Sequence, residues 1–156
     1  MGGNGKVDVK GLKDFRNNLE KHLGEYQIHP FLESCAKELA ARLLAKVIKR
    51  TPTGEYPKST GKKGGTLKRG WTGGQSSNAT AYANSLRVHT FGGNYVIEVV
   101  NPVEYASYVE FGHRTRGGKG WVEGKFMLTI SEQEVQRDSV KILEKKLQKK
   151  LGECFK

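Results

Sequence analysis

Between Pro30 and Arg50 the chain places Phe31, Leu32, Cys35, Leu39, Leu43, Val47 and Ile48 at steps of mostly three and four residues. That spacing puts all seven on one stripe of an α-helix and leaves no alternation for a strand. Proline is favoured in a first turn, where its missing N–H costs nothing, so the helix is expected to begin near Pro30. Pro52 disfavours helical geometry at Thr51, so it should stop near Arg50. A long helix with one apolar face needs a second layer to cover it, and the rest of the chain must provide that layer.

The flanking segments supply candidates. Residues 1–6 read as a flexible start, and Val7 and Val9 as a short strand or lead-in. Leu12, Phe15, Leu19 and Leu23 recur at helical spacing among charged residues. Thr53 to Gly65 holds glycines, Pro57 and lysines with almost nothing apolar, the composition of a mobile loop. Leu67 to Thr72 suggests a short strand carrying Trp71, followed by a Gly/Ser/Asn-rich loop over Gly73 to Thr80. Ser85 to Phe91 alternates apolar with polar, and Tyr95 to Val100 is rich in β-branched residues. The link Gly92-Gly93-Asn94 between them signals a hairpin. Val103 to Phe111 predicts a short helix ended by Gly112 in the left-handed conformation. Arg114 to Lys125 predicts a second basic, Gly-rich loop.

The C-terminal third reads as one long helix, or two divided near Ser131, where Ser131 and Glu134 have capping-box spacing. Phe126, Met127, Ile130, Val135, Ile142, Leu143, Leu147 and Leu151 form its stripe. The expected fold is α+β: a small antiparallel sheet of three to four strands packed against two long helices, with a short helix and two basic Gly-rich loops. At 156 residues the chain is expected to be one domain, with residues 53–66 and 113–125 as its mobile loops.

Charge narrows the partners. Lys and Arg total 27 against 16 Asp and Glu, a net charge of +11, which favours nucleic acid, acidic protein surfaces or anionic membranes. No stretch approaches the run of about 20 apolar residues that spans a bilayer, and residues 1–6 have no apolar core of a signal peptide. Cys35 and Cys154 are too few for a disulfide framework and lack metal-ligand spacing.

Catalytic readings fail on spacing. A phosphate-binding loop needs a glycine where Tyr56 stands before Gly61-Lys62. His22, His29, His89 and His113 do not converge on one element, and His113 reads as a structural hydrogen-bonding residue. No nucleophile–base pair is suggested. The expectation is a protein without enzymatic activity, cofactor or metal.

Binding chemistry is better supported. Lys58, Lys62, Lys63, Lys68 and Arg69 line the first basic loop, and Arg114, Arg116 and Lys119 the second. Trp71 and Trp121 flank them and could stack on bases, though anchoring the loop ends to the core is the stronger reading. Tyr105, Tyr108 and Val109 share a helical face with Phe111 one turn on, the pattern of a helix clamped to a core. Glu104 and Glu110 are then available to pair with cations.

Two blocks carry a family resemblance. One is Lys49-Arg-Thr-Pro52, then Gly61 and Thr66-Leu-Lys-Arg-Gly-Trp71. The other is Asn101-Pro-Val-Glu-Tyr-Ala-Ser-Tyr-Val-Glu-Phe-Gly-His-Arg-Thr-Arg116, then Gly124-Lys-Phe-Met-Leu128. Together they resemble the small tail-completion and head–tail joining proteins of siphoviruses and their prophages, over most of the chain from about Val7. The lysine-rich first loop departs from the family's shorter turn. The resemblance implies a virion protein, made in the host cytoplasm, that joins other tail or connector proteins and assembles as a homo-oligomeric ring; Lys58 to Lys68 and Arg114 to Lys119 are the expected contact segments, facing the portal side, the tail tube or DNA in the lumen. It marks Tyr105, Tyr108, Val109, Glu110, Phe111 and Gly112 as family core or interface residues. The alternative, on charge alone, is a stand-alone nucleic-acid-binding protein.

Overall fold

The computed structural model describes residues 3–6, 16–17, 24–75 and 78–154. The helix expected around Leu12 to Leu23 and the lead-in at Val7 and Val9 fall outside the described residues, apart from 16–17. In chain order the described elements are β1 (Gly3–Lys6), α1 (Glu25–Arg50), a 3₁₀ turn (Lys58–Thr60), α2 (Thr66–Gly70) and α3 (Ala79–Ser85). They continue with β2 (His89–Phe91), β3 (Asn94–Val96), β4 (Glu98–Asn101), α4 (Ala106–Phe111), β5 (Gly112–Arg114), β6 (Trp121–Glu123) and α5 (Met127–Cys154).

The α1 stripe is the middle of the core: Leu32, Cys35, Leu39, Leu43, Leu44 and Val47 are all buried. The helix begins five residues before Pro30, at Glu25, and Pro30 lies inside it. Burial of Ile28, in line with Phe31 and Leu32, accounts for the extra turn, which outweighs one lost backbone hydrogen bond near the helix end. At the other end Thr51 turns to extended geometry ahead of Pro52, as expected. Its hydroxyl donates to the Val47 carbonyl at 2.6 Å and accepts from Trp71 Nε1 at 2.8 Å.

That bond explains the first correction. Thr66–Gly70 is the helix α2, where a strand was expected, because a helical turn brings Leu67 and Trp71, four apart, onto one buried side. A second short helix, α3, stands where a loop running into a strand was expected. Asn78 caps it, its side-chain oxygen accepting from the Thr80 and Ala81 amides.

The described strands form three separate two-stranded antiparallel sheets, β1–β4, β2–β3 and β5–β6, in place of one sheet of three or four strands. Residues 94–101 change pairing partner at Ile97, yet burial alternates through Tyr95, Ile97, Val99 and Asn101. One face of the whole segment therefore meets the core. The hairpin turn is Gly92-Gly93, both at positive φ, with Asn94 already in β3.

The last helix is continuous through Ser131. The expected capping box does not form, because both of its residues face α1. The Ser131 hydroxyl donates to the Met127 carbonyl and accepts from Arg50 Nη1, while Glu134 pairs with Lys46 at 2.8 Å and with Arg50. With Lys146 on Glu38, these bonds lock α1 and α5 side by side in opposite directions. Met127, Val135 and Leu143 are buried on this seam, whereas Phe126 and Ile130 are left 40% and 39% exposed.

Candidate assembly interface

The segment Asn101 to Phe126 is held from its buried polar side. Asn101, fully buried, donates from Nδ2 to the Leu67 carbonyl and accepts from the Val103 amide, tying β4, α2 and the start of α4 together. Gly70 is required at this junction: a Cβ there would overlap the Asn101 carboxamide and the Val103 side chain.

Within α4 the inward face is Ala106 and Glu110, one turn apart. Glu110 reaches the first turn of α5, where its carboxylate accepts from the Leu128 amide at 2.9 Å and from the Thr129 amide and hydroxyl at 2.8 and 2.7 Å. These are the N–H groups that a helix start leaves without partners, so Glu110 caps α5 from another element. The backbone returns the contact, with Lys125 N and Phe126 N donating to the Val109 and Glu110 carbonyls. Phe126 takes a positive φ of 47° to do so. Glu110 is thus spent on this clasp and does not pair with loop cations, as the sequence had suggested.

The aromatic residues face outward. Tyr105, Tyr108 and Phe111 are 41%, 58% and 61% exposed, which overturns the expectation that they clamp the helix to the core. Val109 is half-buried at the edge. Small Ala106 lets α4 lie close to the core, and Glu110 fills the remaining inward position, so the bulky side chains are turned to the surface. Gly112 ends the helix at positive φ (86°), as expected, its N–H donating to the Tyr108 carbonyl, but its ψ of 171° lies outside the αL region and carries the chain straight into β5. This backbone region is open essentially to glycine alone. A Cβ on Gly112 would also strike the Val122 carbonyl, and one on Gly124 the Glu110 carbonyl.

The second basic stretch is accordingly a hairpin and not a free loop. His113 pairs with Val122 and Arg114 with Trp121, and the turn is closed by Thr115 N on the Gly120 carbonyl at 2.9 Å. His113 Nδ1 lies 3.4 Å from the Tyr108 carbonyl oxygen and its ring 5.7 Å from the Tyr108 ring, a structural setting. Arg114, Arg116 and Lys119 are exposed and make no ion pair among the described residues. The two tryptophans divide: Trp71 is buried, as the anchoring reading expects, while Trp121 is 55% exposed on β6 beside Val122. Tyr105, Tyr108, Phe111, Trp121, Val122, Phe126 and Ile130 thus give one short stretch of chain an unusual density of exposed large apolar side chains.

The first basic loop has a different support. The Gly54 and Gly64 backbones meet so closely that a Cβ on Gly64 would overlap the Gly54 carbonyl, closing residues 54–64 into an Ω-like loop. Arg69 braces its base through the Gly64 carbonyl and Thr66 hydroxyl, and Lys68 is half-buried on α2. Lys58, Lys62 and Lys63 stand exposed, Lys62 at 6.0 Å over the Tyr56 ring. Of the basic residues singled out from sequence, these three and the hairpin three remain available to a partner.

Elsewhere, titration is governed by structure. Hydrogen bonds from Lys46 and then Arg50 lower the Glu134 pKa to about 2, and burial raises that of the Cys35 thiol to about 12. Among the described residues no group of side chains could hold a metal ion, and no helix is long and apolar enough to cross a membrane.

A family model described as "Bacteriophage HK97-gp10, putative tail-component" matches residues 13–112. The match runs through α1 and the Tyr105 to Gly112 motif and ends where the β5–β6 hairpin begins. Comparison with curated proteins and with solved structures gave no match.

Proposed function

Because the chain belongs to the HK97-gp10-like family of bacteriophage tail components, a structural part of the virion, we propose that it acts in tail completion or head–tail joining. It does so through its surfaces, as a subunit of a homo-oligomeric ring that meets other tail or connector proteins. The observation that carries this reading is the outward turn of Tyr105, Tyr108, Phe111 and Trp121. Large apolar side chains gathered on a surface mark a contact site. The family motif encodes three of them, and the fold spends its one buried carboxylate there on holding them in place. The Arg114–Lys119 tip and the Gly54–Gly64 loop add cations for acidic protein surfaces or for DNA in the lumen.

The test is electron microscopy of particles from an induced prophage carrying an early stop codon in this gene. DNA-filled heads beside unattached or overlong tails are the expected result. Intact infectious virions would remove the joining and completion reading. One observation favours a second reading, a stand-alone nucleic-acid binder: Lys58, Lys62 and Lys63 are exposed on one loop and make no ion pair among the described residues.

A further inference from the structure

Apart from Tyr56 in the first basic loop and Val140 midway along α5, the exposed large apolar residues lie at two ends of the molecule. At the start of α1, His29 Nδ1 meets the Tyr95 hydroxyl at 2.5 Å, and Tyr95 pairs across the hairpin with Thr90. Next to Thr90, at the turn, Phe91 is 66% exposed, with its ring 6.3 Å from that of His89. At the end of α1, Arg50 meets Ser131, and the first turn of α5 is held by Glu110 beneath the aromatic face. Residues 29 and 50 are separated by about 30 Å along a helix rising about 1.5 Å per residue. Residues 94–101 run the same way, from Tyr95 beside His29 to Asn101 beside Leu67. The Phe91 hairpin and the Tyr108–Phe111–Trp121 face are therefore different surfaces on opposite ends of one scaffold.

We propose that these two surfaces bind each other between neighbouring copies of this chain, Phe91 of one copy entering the aromatic face of the next. This rests on the ring reading above and names its contact. A ring needs a heterologous interface made of two unlike patches on one subunit, and this is the arrangement that the two ends offer. A self-paired interface would instead put the cationic tips Arg114, Arg116 and Lys119 of both copies together, at a repulsive cost. In the head-to-tail contact those cations approach an end whose exposed charges, Glu33 and Arg87, are mixed in sign, in place of a second cationic tip. β2 and β6 are also outer strands, each paired on one side and exposed throughout, so backbone pairing between copies can accompany the ring contacts.

The experiment is thiol cross-linking of the full chain carrying Cys154→Ser, in which Cys35 is buried and unreactive. Phe91→Cys and Tyr108→Cys proteins are mixed at high concentration, treated with a short bis-maleimide and read by peptide mass spectrometry. The expected result is a 91–108 link in excess over 91–91 and 108–108 links, and a ladder of oligomers when one chain carries both cysteines. Dominant same-residue links, or no link at all, would overturn the proposal. A second variant, Phe91→Asp, should keep the thermal midpoint, since the side chain is exposed, while weakening self-association roughly tenfold or more. Full self-association by that variant would also overturn it. Particle loss on deletion of the gene, with no 91–108 link, would leave the tail role standing and remove only this contact.

Discussion

Glu110 is worth more to this fold than its place in an aromatic motif suggests. It is 3% exposed, and its carboxylate serves two amides and a hydroxyl at the start of a 28-residue helix. Truncation to alanine leaves those donors buried and unpaired, which should cost about 2 kcal/mol or somewhat more in chemical denaturation. Glu110→Gln, which keeps one acceptor oxygen, should recover part of it. A loss below about 0.5 kcal/mol for the alanine variant would show that the cap contributes little. The sequence concealed this role, since acceptor and donors are eighteen and nineteen residues apart and belong to no local capping pattern. The same holds for Asn101, whose partner Leu67 is 34 residues away. The direction of the tyrosines was hidden too. In a six-residue helix with apolar side chains on most of its circumference, periodicity cannot say which face meets the core.

At the level of elements, the reading succeeded where one signal dominated. Seven apolar residues gave α1, glycines at both turn positions gave the β2–β3 hairpin, and the C-terminal stripe gave α5. It failed for α2 and α3, which are too short for periodicity to declare itself and depend on Trp71 reaching Thr51 and on the Asn78 cap. Capping-box spacing at Ser131 and Glu134 pointed to a break, but tertiary pairing with Lys46 and Arg50 took both side chains. That pairing has a pH signature. The Glu134 pKa is lowered to about 2 in the folded chain, so its contribution is full above the ordinary glutamate range and is lost as pH falls through about 2. The thermal midpoint of the native chain should therefore decline more steeply below about pH 4.3 than that of Glu134→Gln. Parallel acid limbs for the two proteins would show that the α1–α5 ion pairs carry no net stabilisation.

Across the whole molecule, charge and apolar surface divide the labour. A net charge of +11 disfavours contact between free copies, and the aromatic face is the surface on which the proposed assembly rests. Weak DNA binding by a chain of this charge would decide nothing; its distribution over the surface would. If the protein acts as a tail subunit, neutralising Lys58, Lys62 and Lys63 to Gln should reduce the slope of log K against log salt no more than neutralising Arg114, Arg116 and Lys119. A slope reduced by roughly three for the first set alone, near 0.9 per phosphate contact, would favour the nucleic-acid-binding reading.

The closure of Gly112 against Val122 and of Gly124 against Glu110 separates the hairpin tip from everything beneath it. A change of length or charge beyond that neck should therefore leave the melting temperature of the chain unmoved, because the α5 cap lies on its other side. The family match stops at Gly112, at the neck itself. The neck thus works as a bulkhead, with the capped helix start on one side and the cationic tip on the other.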